Sequence, residues 1–347
     1  MSRSLSPRPV HIAGFAQLPN VAFNGQQDQA EMVQQVVSEA LASAGVSRGD
    51  IGFTCSGSND YNMGRPFSFT MAIDGMGPWP PVRESHVEMD GAWALYEAYV
   101  RLQHGDIQAA LVYAFGASSI GETEQVRTLE LDPYHLAPLG IDQTSLAAMQ
   151  ARMLLEKGLA TEADFAAVVA RSRASALDNP NAWTKGRVDV QSLLSEPYVR
   201  DPLRAHDSPA GTDGAAAIIL TVGGTGPRIR GIAHCIDLHQ PGMRELTDSP
   251  STRKAAAAAG GIDGVEVAEL YARYSPQEVI LRRALALPDH VRINPSGGAL
   301  CAETPMVAGL IRIGEAASAV RAGARTALAH ATSGPLLQHN LVCILEA

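Results

Sequence analysis

Val10–Ala16 is a short, largely apolar run that reads as a strand. Over Gln29–Ala44 the pattern is helical, with Met32, Val36, Val37, Ala40 and Leu41 on one stripe. Trp93–Leu102 predicts a second helix, and the unbroken apolar run Ala109–Phe115 a buried strand. Ser145–Lys157 and Glu162–Leu177 read as further helices, Ile218–Val222 and Val291–Ile293 as short strands. Toward the other end, Pro276–Ala286 and Met306–Ala319 are helical in pattern, and Ala327–Ala331 and Leu341–Leu345 are buried strands. Strands alternating with helices predict a layered α/β architecture.

The pattern also repeats. Ile12-Ala13-Gly14-Phe15-Ala16 is echoed by Ile229-Arg230-Gly231-Ile232-Ala233, and Ala110-Leu111-Val112-Tyr113-Ala114 by Ala327-Leu328-Ala329-His330-Ala331, both 217 positions on. One shared offset predicts a duplicated α/β unit. We therefore expect a first half over residues 1–226, a helical insertion within it at about 118–206, and a second half over 227–347. The Gly223–Pro227 run is the expected hinge.

Composition narrows the class. Across 347 residues, 46% are hydrophobic and 18% charged, which suits a chain that buries a core. A net charge of −9 argues against a nucleic-acid surface. No run reaches the roughly 18 apolar residues of a membrane span, and Met1–Pro9 lacks the apolar stretch of a secretory signal. The cysteines, Cys55, Cys235, Cys301 and Cys343, form no close pair and read as separate reduced thiols of a cytoplasmic protein.

Two glycine-bearing motifs stand beside predicted strands. Ser208-Pro209-Ala210-Gly211-Thr212-Asp213-Gly214-Ala215-Ala216-Ala217 precedes Ile218–Val222, and Asn294-Pro295-Ser296-Gly297-Gly298 follows Val291–Ile293. Singly, each is a turn. A glycine pair also lets backbone approach a ligand, and a nearby helix N-terminus favours developing negative charge.

In this order on a duplicated frame, the two motifs resemble those of the thiolase superfamily, over essentially the whole chain. Glu84–Leu95 and Ser333–Asn340 resemble the sterol-carrier (lipid-transfer-type) branch. The resemblance implies a duplicated thiolase-like fold of αβαβα layers. It also implies a coenzyme A thioester substrate, with no tightly bound cofactor and coenzyme A arriving as part of the substrate. Asn294, Gly297, Gly298, Ser333 and Gly334 are the positions it suggests for contact with that thioester.

The departures from the family are chemical. Its nucleophilic cysteine lies three residues before the glycine here at Gly91, and that position is Glu88. The family's histidine after the glycine-rich turn is replaced in Glu303-Thr304-Pro305, and the histidine of the branch's H-D-C-F segment by Tyr271. A carboxylate is a poor acyl carrier, so thiolysis is disfavoured. Retro-aldol cleavage of a 3-hydroxyacyl-CoA needs no acyl-enzyme, only proton transfer and a site that stabilises a thioester enolate. Members of the branch that lack the cysteine are steroid side-chain aldol-lyases working with a small OB-fold/zinc-ribbon partner. The residue inventory opposes other aldolase chemistries. Lys157, Lys185 and Lys254, the only lysines, lie outside the motifs, and the ten histidines show no metal-ligand spacing.

The candidate acid–base residues are Tyr271, Glu303, His86, Glu88, Asp90 and His330. Each has a structural reading beside the chemical one: Tyr271 as packing at a strand end, Glu303 as the opening of a helix, Asp90 as a helix cap, His330 as a core histidine. An extended backbone would place His86, Glu88 and Asp90 on one side. Phe67 and Phe69, with Met63, Met71 and Met76, are candidates for an apolar acyl channel or for core. Two alternatives to the lyase stand: a 3-ketoacyl-CoA thiolase using Cys301, and a silent subunit that scaffolds a partner. The resemblance further implies a homodimer, an acyl-CoA substrate, and neither nucleic-acid binding nor membrane insertion.

Overall fold

A computed structural model of the chain describes residues 7–64, 66–78 and 82–347. The reading of Met1–Pro9 therefore falls in large part outside the described residues. Strand β1 (Val10–Gln17) alternates buried and half-buried positions. Helix α1 (Gln29–Ala44) starts at a capping box made by Asp28 and Glu31 and stops at Gly45 in the left-handed region. The first half continues through β2 (Phe53–Gly57), α2 (Asp60–Met63), α3 (Ile73–Met76), β3 (Glu84–Val87), α4 (Gly91–His104) and β4 (Ala109–Ala117). A long excursion follows, with α5 (Thr123–Leu129), α6 (Gln143–Glu156), α7 (Glu162–Ser175), α8 (Val190–Leu194) and the small hairpin β5 (Tyr198–Arg200) and β6 (Leu203–Arg204). The chain then returns to the sheet as β7 (Asp213–Val222). The remainder comprises β8 (Arg228–Ile236), α9 (Pro250–Ala258), β9 (Val267–Leu270), α10 (Ser275–Ala284), β10 (Arg292–Ile293), α11 (Ala308–Arg321), β11 (Thr326–Ser333) and β12 (His339–Glu346).

Two elements differ from expectation for identifiable reasons. Strand β7 begins at Asp213, five residues before the predicted Ile218, because the small Ala215–Ala217 side chains fit, fully buried, between neighbouring strands β1 and β4. Helix α11 begins at Ala308 rather than Met306, whose φ of 68° is incompatible with a right-handed helix.

Among the described residues, ten strands form one sheet in the order β10-β9-β11-β12-β8-β1-β7-β4-β2-β3. Read outward from its centre, the order is mirrored: β1, β7, β4, β2, β3 on one side and β8, β12, β11, β9, β10 on the other. The centre is thin, with His11 opposite Arg228 as the single registered pair between β1 and β8. The halves are joined instead by α4 and α11, whose Leu95, Leu102, Leu310 and Ile313 share one core with Val112, Ile218, Val267 and Leu341. Helix α1 covers the outer face of the first half, against Leu111 and Ile219. Helices α9 and α10 cover the outer face of the second, against Leu328 and Val342. The layers run αβαβα. Gly309 permits the central approach, since a Cβ there would sit 2.4 Å from Asp90 Oδ1 and 2.8 Å from the Ala331 Cβ.

Candidate active site

A cleft of about 610 Å³ opens where the N-terminus of α4, the chain after β9, helix α5 and the turn after β11 meet. Asp90, Arg127, Tyr271, Arg273, Ser333 and Gly334 are among its lining residues. Three of the described non-glycine residues with positive φ line it too: Met306 (68°), Leu336 (60°) and Leu337 (56°). Such strain persists only where the surroundings enforce it. Here Arg244 donates to the Pro335 and Leu336 carbonyls, and Asn340 Nδ2 to that of Leu337.

Tyr271 is the first residue beyond β9. Its backbone N–H donates to the His330 carbonyl at 3.2 Å, and its hydroxyl donates to Glu303 Oε1 at 3.1 Å. Burial, then the carboxylates of Glu303 and Asp90, push the phenol well above its ordinary range. Tyr271 is therefore a neutral proton donor that touches the cleft.

Glu303 is 1% exposed and lies behind Tyr271. It does not open a helix, because four residues of turn precede α11 and its carbonyl accepts the Thr212 N–H. Its Oε1 also accepts from Arg127 Nη2 at 3.0 Å and lies 3.6 Å from Arg273 Nη1. Its Oε2 has no partner among the described residues.

Asp90 is buried between two helix starts. Oδ1 accepts the backbone N–H of Ala92 and Leu310, and Oδ2 that of Gly309, so one carboxylate caps both α4 and α11. Burial raises it to about 6 despite those three donors. Of His86, Glu88 and Asp90, only His86 lies within β3, which ends at Val87. His86 stacks on Phe69 and bonds Ser56 Oγ, while its Nε2 meets Glu88 Oε2 at 3.1 Å. Glu88 lines the cleft and His86 does not.

His330 is fully buried below the cleft, with Nε2 3.0 Å from Asn340 Oδ1, and burial lowers it to about 4. Asn294, Gly297 and Gly298 lie off the cleft. Asn294 Oδ1 accepts the Leu270 N–H at 2.6 Å, which anchors the backbone immediately before Tyr271. Gly297 and Gly298 take φ of 98° and 66°, the left-handed turn their motif requires. Ser333 and Gly334 are on the cleft wall. Of the residues considered for an acyl channel, Phe67 is exposed, Phe69 stacks on His86, and Met63 and Met76 are core. Arg127 and Arg273 carried no signal in the sequence beyond being charges in a low-charge chain.

No cysteine lines the cleft. Cys301 is 1% exposed and burial pushes its thiol up to about 12, so it holds no reactive thiolate near neutral pH.

No protein-family model matches the chain. Among curated proteins it is 25% identical over 209 residues to the 17-hydroxy-3-oxo-4-pregnene-20-carboxyl-CoA lyase of Mycobacterium tuberculosis, covering 57% of this chain and 54% of that protein. It is 26% identical over 253 residues to an acetyl-CoA acetyltransferase of Methanothermobacter thermautotrophicus, covering 71% and 60%. The chain thus spans a little over half the length of these relatives. Among solved structures, an Ltp2–ChsH2(DUF35) aldolase superposes with a TM-score of 0.80 at 20% identity, covering 99% of both chains. Human mitochondrial 3-ketoacyl-CoA thiolase in complex with CoA gives 0.78 at 15% identity, covering 98% of both. The sequence relatives make the chain a homologue of thiolase-superfamily proteins, and the solved structures show that it carries the thiolase-like fold.

Proposed function

We propose that this protein cleaves a bulky 3-hydroxyacyl-CoA by a retro-aldol reaction, the acyl group being of the steroid side-chain type. One observation carries the reading: a buried neutral phenol, Tyr271, faces a cleft without a cysteine and donates to a buried carboxylate, Glu303. The similarity to a pregnene-carboxyl-CoA lyase and to an aldolase structure supports it. The thiolase alternative finds no thiolate at the cleft.

In the proposed reaction, Tyr271 Oη takes the proton of the substrate 3-hydroxyl while its own proton passes to Glu303 Oε1. The freed oxygen electrons form the carbonyl of the leaving ketone. The C2–C3 bond breaks, and its electron pair becomes the enolate of the shortened thioester. The proton then returns through Tyr271 to C2, giving ketone and acyl-CoA with nothing oxidised or reduced. Arg127 and Arg273 also line the cleft, where their guanidinium N–H groups are the donors nearest to the relay.

The partner we propose is an OB-fold/zinc-ribbon protein, in keeping with the DUF35 component named in the aldolase structure. A homodimer is proposed through β3, a sheet-edge strand that among the described residues pairs only with β2. Among the described residues no helix is long and apolar enough to cross a membrane. The test is incubation with a steroid-type 3-hydroxyacyl-CoA, and separately with a 3-ketoacyl-CoA plus CoA, each with and without the OB-fold/zinc-ribbon partner. Release of ketone and shortened acyl-CoA from the hydroxy substrate is the expected result. Binding without turnover in every arm would leave the silent-subunit reading in its place.

A further inference from the structure

The polar floor of the cleft is closed by a ring of four charges. Arg127 Nη2 and Arg273 Nη1 both face Glu303 Oε1, at 3.0 and 3.6 Å. On its far side the same pair meets Glu124 Oε1, from Arg127 Nη1 at 3.3 Å and from Arg273 Nη2 at 2.5 Å. The side chains of Arg127, Arg273 and Glu303 are 8%, 14% and 1% exposed, whereas Glu124 is 48% exposed. Two cations and two anions balance, which is the condition for keeping guanidinium groups in a dry site.

The ring joins parts of the chain far apart in sequence. Glu124 and Arg127 belong to α5, in the excursion between β4 and β7, while Arg273 and Glu303 come from the second half. Both arginines crowd the carboxylate oxygen to which Tyr271 donates, so they also set the line along which the phenol points. A lone carboxylate is free to rotate; one held by two guanidinium groups stays in place.

We propose that Arg127 and Arg273 are positioning residues: they hold Glu303 Oε1 in place as the acceptor for the Tyr271 proton, and α5 completes the catalytic constellation when Glu124 latches it to Arg273. This rests on the retro-aldol reading and names the groups that make its proton relay work. Removing one guanidinium leaves the carboxylate free to turn away from the phenol.

The experiment uses the full chain with Arg127→Met, Arg127→Lys and Glu124→Gln. Arg127→Met is expected to lower kcat by about 10²-fold, the usual worth of an acid–base group, with KM changed far less. Arg127→Lys restores the charge and should recover much of kcat; Glu124→Gln should give a smaller change in the same direction. The clamp is read independently of turnover from the ring-carbon NMR resonance of Tyr271 in chain labelled with 13C-tyrosine, assigned by its loss in Tyr271→Phe. That resonance should move in Arg127→Met, because the acceptor of its hydrogen bond changes. An unmoved resonance with an unchanged kcat overturns the clamp even if the enzyme is an active lyase. Absence of lyase turnover by the unmodified chain overturns the functional reading, and the resonance still decides the clamp. A variant that loses its native fold by circular dichroism is replaced by Arg273→Gln, read in the same two ways.

Discussion

At the scale of single residues, the site separates groups that move protons from groups that hold shape. Tyr271→Phe removes one hydroxyl and leaves the arginines on Glu303, so kcat should fall by about 10²-fold or more while the thermal midpoint barely moves. Cys301→Ser should leave turnover nearly intact, since that thiol is sealed in the core beside Ala176 and Ala182. Loss of turnover in the serine variant alone would restore the thiolase alternative. Asp90 is a structural charge with a pH signature. Its folded value of about 6 lies above the ordinary 3.8, so between pH 4 and 6 the native state keeps a proton that the unfolded chain releases. Asp90 therefore contributes stability that is present below pH 4 and is lost as pH rises through 6, roughly 3 kcal/mol for two pH units. In Asp90→Asn the baseline should drop, because an amide N–H cannot accept from Gly309, but this slope should vanish. Urea midpoints of both proteins from pH 4 to 7 check it; parallel curves would refute the assignment.

Among elements, the turn joining β11 to β12 is the least relaxed part of the cleft wall. Leu336 and Leu337 are buried at positive φ, and Arg244 binds two of the turn's carbonyls. Arg244→Ala should let residues 334–338 relax, raising KM for the acyl-CoA several-fold while kcat changes less. Faster hydrogen exchange confined to those amides would confirm the cause. The strands and long helices beside this turn were readable from periodicity alone, because burial of one face imposes a period of 2.0 or 3.6. The start of α11 was misjudged by two residues, since the positive φ of Met306 follows from its packing at the cleft and leaves no trace in an apolar run.

For the whole molecule, the mirrored sheet is held by its middle layer rather than by its central strand pair. Leu310 is fully buried in the core shared by both halves, so Leu310→Ala should cost about 2–5 kcal/mol. It should shift one cooperative urea transition followed equally in both halves. Two transitions, of which only one moves, would mean that the halves are independently stable domains. The division at 226/227 remains a proposal about the chain's organisation, and this measurement bears on it directly.

The sequence by itself determined the elements and the α/β class, because periodicity is a local property; the chemistry expected at Tyr271, Glu303 and Glu88 followed from the resemblance to the thiolase superfamily. Only the tertiary structure decided which residues share the cleft. It turned Asp90 into a double cap, sent His330 and Asn294 beneath the site, and brought Arg127 and Arg273 onto Glu303 across 176 and 30 positions of chain. Ion pairs and caps depend on distances between segments, and no pattern within a segment records those distances.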